Sequence, residues 1–208
     1  MNPLRRWLFL LTATLALQVA AAPLAPPFPP EWKSLFDALS APIPRFATFE
    51  EERSFAFKKQ PVVLQGELRQ MPGHGVSLTY TEPNRQTVII DDAGVLMRNE
   101  HGRDRALPAR RTPATVAHLG ELLQFDVTTL ARNFELAGDR DGERWILALK
   151  PLDGAAAEAT GAILLRGHRA QIDEIVLSPE RGPRIRISIT AVRTGQPFAA
   201  AELARYFR

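Results

Sequence analysis

Apolar and polar residues alternate strictly over residues 76–81, in the order Val-Ser-Leu-Thr-Tyr-Thr. A period of two predicts a strand with one apolar face. A turn-rich segment follows, and then two short apolar runs at residues 86–90 and 95–97, which Asp91-Asp92-Ala93-Gly94 separates. Successive hairpins of this kind predict an antiparallel meander that is apolar on one side and solvated on the other.

The same period recurs along much of the chain. Its clearest instance is residues 184–192, where Ile185, Ile187 and Ile189 alternate with arginine, serine and threonine. Phe55 and Phe57 alternate with small or charged residues, and this pattern also predicts a strand. Further strands are predicted at residues 46–49, 62–68, 134–136, 145–149, 162–165 and 172–177.

Spacings of three and four residues between apolar side chains predict an amphipathic helix at residues 31–39, and Pro42 and Pro44 follow its end. Other helical segments are predicted at residues 115–124, 126–134 and 198–207. Many strands with few helices indicate a mainly β fold of the α+β class, with one large curved antiparallel sheet covered by helices on a single face. A sheet of this size tends to coil into a barrel or half-barrel.

The apolar side of this sheet has two possible roles. Covering helices can seal an ordinary core, or they can act as a lid over a pocket for acyl chains. The alternation of residues by itself favours the filled core, because alternating strands usually face one.

The first residues have the pattern of a secretory signal peptide. Arg5 and Arg6 precede an apolar run at residues 7–17, and Val19 and Ala21 fit the small-residue rule for cleavage. We therefore expect a signal peptide at residues 1–21, cleaved near Ala21. Residues 22–30 contain five prolines and are predicted to form an extended linker, followed by one domain at residues 31–208.

Cysteine is absent from the chain, so the sequence offers no site for lipoprotein-type lipid attachment and no disulfide. With the signal peptide, this predicts an exported periplasmic protein that is not lipid-anchored. The formal net charge is +3. No basic stripe interleaves with aromatic residues, so we expect no nucleic-acid partner, and we expect a monomer.

Catalytic and metal-binding motifs are not apparent in the sequence. The four histidines have no HxxxH or HExxH spacing, and no GxSxG sequence occurs. The run Glu50-Glu51-Glu52 is expected to form a solvated face, because no apolar pocket is evident beside it. The sequence therefore predicts neither an enzyme nor a bound metal or cofactor.

A series of landmarks in the first half of the chain is similar to the LolA-type family of periplasmic outer-membrane lipoprotein carriers. After the first helix and the Phe46-Ala47-Thr48-Phe49 strand, the landmarks follow one another in the family's order. They are Leu64-Gln65-Gly66-Glu67-Leu68, Met71-Pro72-Gly73, Leu78-Thr79-Tyr80-Thr81-Glu82-Pro83, Val88-Ile89-Ile90-Asp91-Asp92-Ala93-Gly94 and Val95-Leu96. The later helical and strand segments up to Val192 also follow the order of the family.

The resemblance implies an incomplete, half-open antiparallel β-barrel with helices as a lid over a hydrophobic cavity. It also implies acylated cargo, a lipoprotein or another lipid, with an inner-membrane transporter and an outer-membrane acceptor as possible partners. A soluble carrier must shelter an acyl chain of about 16 carbons, which is worth on the order of 10 kcal/mol at ~0.8 kcal/mol per methylene. The residues that we expect to line the cavity are Leu64, Leu68, Leu78, Tyr80, Ile90, Leu96 and Trp145.

Two departures from the family pattern concern the polar contact that latches the lid. The basic residue that precedes the proline turn in the family falls here at Met71, and the Arg-x-Trp-like start of the next strand is Ser77-Leu78. We therefore expect the latching contact to be absent or to be supplied differently, with Arg69 as the candidate substitute. The alternative to a carrier is a periplasmic β-rich scaffold or protein-binding module with a filled core and no lipid cargo.

Overall fold

The computed structural model describes residues 21–107 and 114–208. Their main feature is one antiparallel sheet of twelve strands, with the spatial order β1-β8-β9-β10-β11-β12-β2-β3-β4-β5-β6-β7. The strands are β1 (Ala22–Leu24), β2 (Arg45–Ser54), β3 (Val62–Met71), β4 (Gly75–Glu82), β5 (Gln86–Asp91), β6 (Gly94–Asn99), β7 (Asp104–Leu107), β8 (Phe134–Asp141), β9 (Arg144–Pro151), β10 (Ala162–His168), β11 (Gln171–Ser178) and β12 (Arg184–Thr194). The helices are α1 (Pro30–Leu39), α2 (Ala114–Gln124), α3 (Val127–Asn133), α4 (Gly154–Thr160) and α5 (Ala200–Tyr206).

The sheet curls around a core but does not close. β1 and β7 lie at its two ends and do not pair with each other. A single cluster of buried side chains extends from Leu24 of β1, at one end of the sheet, to Val76 of β4, and Val88 of β5 packs against it. The prediction of a mainly β, incomplete barrel with helices is thus confirmed.

Strand register defines two faces of the sheet. Ala47, Leu68, Leu78 and Val88 lie opposite one another across β2, β3, β4 and β5, so their side chains share one face, here called the inner face. Their neighbours in sequence point to the other side, here called the outer face. The outer row at the same position is Phe46, Arg69, Ser77, Ile89 and Leu96.

Helices α1, α2 and α3 cover the inner face, and α4 packs against α2 and β9. α1 buries Trp32, Leu35, Phe36 and Leu39, which all belong to the core cluster. Pro30 stands at its first turn, where a missing N–H costs nothing, and the Ser40 hydroxyl donates to the Phe36 carbonyl at its end. The short helix α3 is capped by Asp126, whose carboxylate accepts hydrogen bonds from the backbone N–H groups of Thr128 and Thr129.

The fifth helix, α5, packs on the outer face instead. The ring of Tyr206 covers the guanidinium of Arg69 at 3.6 Å, and Arg69 belongs to the outer row. The expectation that all helices cover a single face is therefore wrong for α5. The spacing of apolar residues in this segment predicts an amphipathic helix. It does not show on which side of the sheet the apolar stripe of that helix is buried.

Two other segments differ from their predicted structure. The segment with Phe55 and Phe57 is a loop, because β2 ends at Ser54 and the ladder with β3 closes at the pair Arg53–Val62. Residues 22–24, within the predicted linker, form the edge strand β1 and pair with β8. The predicted signal peptide lies almost wholly outside the described residues, so its bounds remain a prediction.

In the part of the chain that is described, no helix is both long enough and apolar enough to cross a bilayer.

Candidate functional site on the inner face

A cavity of about 310 Å³ lies between the inner face of the sheet and the ends of helices α1 and α2. Its volume is at the lower end of the range of about 300–1,000 Å³ that is typical of small-molecule sites. The apolar residues of its wall are Leu39, Ala47, Leu68, Leu123, Phe125, Ala170, Ile172, Ile189 and Val192. The polar residues of its rim are Arg45, Gln70, His168, Arg169, Gln171 and Thr194. An apolar pocket with a polar rim suits a ligand with a greasy body and a polar end.

Arg45 ties the lid to the sheet at the rim of this cavity. One terminal nitrogen of its guanidinium donates to the Gln70 side-chain oxygen at 3.0 Å, and the other donates to the Leu39 carbonyl at 2.9 Å. Leu39 is the last residue of α1, so its carbonyl is one of the groups that the helix leaves without an intrahelical partner. Burial lowers the pKa of Arg45, although an arginine remains charged at physiological pH.

Arg69, the residue expected to latch the lid, cannot contact the inner face. Its guanidinium packs on the rings of Tyr206 and Phe46 and donates to the Glu67 carboxylate at 2.8 Å. The expectation is wrong because the period of two places Arg69 on the opposite side from Leu68. The contact between helix and sheet is made by Arg45, which lies at the same end of the β2–β3 hairpin as Arg69 but on the inner face.

A second part of the inner face, between strands β3 and β4 and helix α2, is filled by side chains. Leu78 and Tyr80 pack there with Leu119 and Leu123 of α2, and only about 10 Å³ of space remains between them. Close approach of α2 depends on Gly120, since a β-carbon there would lie 2.6 Å from the Cγ2 atom of Ile90. The inner face is therefore divided into an open region near Arg45 and a packed region below α2.

A buried carboxylate lies within the packed region. Glu51 is only 3% exposed, and it accepts hydrogen bonds from the Tyr80 hydroxyl at 2.8 Å and from the Arg53 Nε atom at 2.5 Å. Burial and the neighbouring negative charge of Glu51 raise the pKa of Tyr80 above its ordinary value, so Tyr80 stays a neutral donor. The expectation of a solvated carboxylate run is wrong for this residue, because Glu51 shares the inner side with Phe49 and Arg53.

Three of the seven residues expected to line a cavity lie at the open or packed regions just described. Leu68 borders both regions, whereas Leu78 and Tyr80 border the packed one. Leu64 is partly buried and packs against the core cluster. Ile90 lies on the inner side, where it contacts Gly120 of α2.

The other two expected residues are farther from the cavity wall. Trp145 is 2% exposed in the core, and its indole N–H donates to the Arg169 carbonyl at 2.8 Å, which supports the hairpin at the cavity rim. Leu96 pairs with Ile89 and therefore lies on the outer face. We do not include Leu96 in the cavity wall.

Sequence reasoning missed most of the wall that the structure brings together. Ile189 was part of the clearest alternating strand, so the signal for its burial was present in the sequence. Phe125 had no such signal, because it follows α2 with a positive φ of 50° and reaches the cavity through that local turn. Arg45 lies just before the predicted strand and carries no pattern of its own.

Comparison with known protein families identifies the class of protein to which this fold and cavity belong. The model of the family described as "Outer membrane lipoprotein carrier protein LolA-like" matches residues 26–204. The chain therefore belongs to the LolA-like family, and the resemblance that the landmarks indicated is confirmed. Members of the family are periplasmic carrier or binding proteins rather than catalysts.

The chain is also similar to several solved structures, including the following three. A chain of the MucA/MucB complex from Pseudomonas aeruginosa matches with 19% identity and a TM-score of 0.49, covering 83% of this chain and 59% of that one. A LolA superfamily protein from Nitrosomonas europaea matches with 8% identity and a TM-score of 0.48, covering 82% and 96%. A putative outer membrane lipoprotein-sorting protein domain from Vibrio parahaemolyticus matches with 9% identity and a TM-score of 0.48, covering 84% and 95%.

The chain thus spans a little under three-fifths of the length of the MucA/MucB chain that it matches. No curated protein matches the sequence.

Proposed function

We propose that this protein is a periplasmic carrier that holds an acyl chain of a lipoprotein or another lipid in the cavity beside Arg45. The supporting observation is the cavity itself, which has an apolar wall, a polar rim and a volume of about 310 Å³ in a chain of the LolA-like family. Each methylene group that such a wall shelters from water contributes ~0.8 kcal/mol to the binding free energy, and no covalent chemistry is needed.

Arg45 acts in this proposal as the latch of the lid. Its bond to the Leu39 carbonyl holds the end of α1 against the sheet. A ligand with a long or branched acyl body exceeds a cavity of about 310 Å³, so α1 and α2 must move away from the sheet to admit it. Opening exposes buried side chains such as Phe36, so the closed form dominates without cargo.

The route of the cargo follows from the same proposal. We expect residues 1–21 to direct export, and the mature protein to act in the periplasm without a lipid anchor. An inner-membrane transporter would load it and an outer-membrane acceptor would unload it. We expect the carrier to act as a monomer.

Extraction of lipids from the purified mature protein, followed by mass spectrometry, tests the proposal directly. We expect co-purified lipid, and we expect a fluorescent fatty-acid probe to bind with saturation. The variant Ala47→Leu should weaken probe binding about tenfold or more, because it places three additional carbon atoms in the cavity.

Ala148→Leu is the matched control. Ala148 is a half-buried strand residue whose partner in β8 is Ala137, and it points to the side opposite the core residues Leu147 and Leu149. The substitution adds the same volume on the outer face, so probe binding should not change. If neither co-purified lipid nor probe binding is found, the carrier proposal is wrong.

A second candidate is a binding or scaffold protein with a filled interior. The packed region below α2 favours it, since only about 10 Å³ is left between side chains there. In that case the Ala47→Leu variant should lose thermal stability, and no form of the protein should bind the probe.

A further inference from the structure

The loop that joins β2 to β3, residues 55–61, carries the most exposed large apolar side chain among the described residues. Phe57 is 81% exposed, compared with 57% for Leu152, 44% for Val63 and 37% for Ile43. A single exposed apolar residue is ordinary on a protein surface, so the significance of Phe57 depends on the residues beside it. Neither the cavity nor the core uses this ring.

The remainder of the loop is basic and aromatic. Phe55 and Phe57 lie side by side with their ring centroids 5.3 Å apart, and the Lys58 ammonium lies 5.3 Å from the Phe55 centroid. Lys59 follows, and residues 55–61 contain no acidic residue. The loop therefore presents two rings and two positive charges at one tip.

The two lysines differ from the other lysines of the chain in their partners. Lys33 pairs with Asp37 at 2.6 Å, and Lys150 pairs with Glu135 at 3.2 Å. No carboxylate of residues 21–107 or 114–208 forms an ion pair with Lys58 or Lys59. Their charges are thus available to an external anion.

We propose that this loop docks the protein on an anionic membrane surface. The rings of Phe55 and Phe57 would enter the boundary between headgroups and acyl chains, and Lys58 and Lys59 would contact anionic headgroups. A stable protein interface buries about 800 Å² on each partner, which a tip of seven residues cannot supply alone. A bilayer requires no matching shape, so two rings and two charges are sufficient for a weak, reversible attachment.

The loop lies far from the cavity rim. It follows Ser54, whereas Arg45 stands at the opposite end of the ten-residue strand β2, about 30 Å away at the usual rise per residue. Docking through the loop is therefore separate from cargo binding and goes beyond the proposed function. Vesicle binding is measured without cargo, so failure of either proposal leaves the other standing.

Cosedimentation of the mature protein with lipid vesicles tests this inference. We expect binding to vesicles of phosphatidylcholine with phosphatidylglycerol, and much weaker binding to phosphatidylcholine alone. Phe57→Ser should reduce the partition coefficient about tenfold or more. The double substitution Lys58→Gln/Lys59→Gln should reduce it about 25-fold, because each lysine near an anionic surface contributes about a fivefold effect.

The chain supplies a matched control for each variant. Ile43→Ser removes an exposed apolar side chain outside the loop, and Lys33→Gln/Lys150→Gln removes the same charge from the two paired lysines. Both controls should bind vesicles like the unaltered protein. In addition, the variant Phe57→Trp should shift its fluorescence emission to shorter wavelength when the anionic vesicles are added.

Three outcomes would overturn the inference. They are an absence of binding to anionic vesicles, an equal loss of binding in the loop variants and their controls, and an unchanged emission of Phe57→Trp on vesicle addition. Each variant is at an exposed position, so a failure to fold is not expected to obscure the result.

Discussion

The two faces of strand β3 show how differently one sheet can use neighbouring residues. Leu68 points to the inner face, where it borders the cavity, whereas Arg69 points to the outer face, where α5 covers it. Both are buried, with 6% and 5% of their surface exposed. The degree of burial therefore does not distinguish a residue of the cavity wall from one sealed beneath a helix. The two are distinguished by the kind of contact that each residue makes.

Contacts on the inner face are mainly apolar and non-directional. Phe36 of α1, for example, packs against Phe28, Trp32 and Phe125 with ring centroids 5.0–5.6 Å apart. Contacts of this kind can separate and form again in a slightly different arrangement. An apolar lid is thus suited to opening around a ligand.

Contacts on the outer face are directional. A guanidinium nitrogen of Arg98 donates to the Arg205 carbonyl near the end of α5 at 2.6 Å, and the rest of the group pairs with Asp104. Arg208 pairs with Asp91 at 2.6 Å. Such bonds fix one orientation of α5, so we expect this helix to remain in place while the inner helices move.

The largest expected effect is that of Phe36→Ala on the inner face. Phe36 is 1% exposed, and its truncation should lower the free energy of unfolding by about 3–5 kcal/mol, as measured by urea denaturation. Phe207→Ala is the matched variant on the outer face, where the ring is also 1% exposed.

Phe207→Ala should mainly release α5 locally, with a smaller loss in global unfolding free energy. An equal loss in both variants would show that α5 is as much a part of the cooperative core as α1. The proposed contrast between the two faces would then be wrong.

Arg98→Ala should have an intermediate effect, confined to the outer face. Removal of its hydrogen bonds to the end of α5 should cost about 2 kcal/mol and should accelerate hydrogen exchange of the α5 amides. Fatty-acid probe binding should not change. Arg181→Ala, at an 86% exposed side chain, is the control that should alter neither measurement. A loss of probe binding in Arg98→Ala would indicate that the two faces are coupled.

The smallest expected effect is that of Tyr80→Phe in the packed region. Loss of the hydroxyl leaves the buried Glu51 carboxylate with only Arg53, which should cost about 1–2 kcal/mol in unfolding free energy at neutral pH. Because the folded protein raises the pKa of Tyr80, this contribution is fully present below the ordinary tyrosine pKa of about 10 and is lost as the pH rises further.

The difference between Tyr80→Phe and the unaltered protein should therefore be constant up to about pH 10 and should shrink above it. Tyr206→Phe is the control, since Tyr206 is the chain's other tyrosine and stacks on Arg69. If Tyr80→Phe is as stable as the unaltered protein at neutral pH, the hydrogen bond to Glu51 contributes nothing measurable.

The local pattern of apolar and polar residues was sufficient to predict most strands of the sheet, but not the residues at which the strands end. The alternation at residues 76–81 and 184–192 correctly predicted β4 and β12, because each strand has one apolar face. The same rule failed for Phe55 and Phe57, which alternate with polar residues but lie beyond the last β2–β3 pair. Pairing with a neighbouring strand is a long-range property, and the period of two cannot report it.

The prediction of the site was limited for the same reason, because the sequence does not show which face of the sheet a residue occupies. Leu96 and Leu68 are both apolar residues of predicted strands, but only the register across β3, β4, β5 and β6 places them on opposite faces. Glu51 is a comparable case, since its burial depends on Tyr80 and Arg53, which come from two different strands.

The sequence by itself determined the class of fold and the family, because alternating strands and the order of landmarks are properties of successive residues. The position of the cavity, the inward burial of Glu51 and the outer location of α5 were decided only by the tertiary structure. The physical reason is that each depends on residues far apart in the chain meeting across a curled sheet, as Arg45 meets Leu39 and Gln70 at the cavity rim.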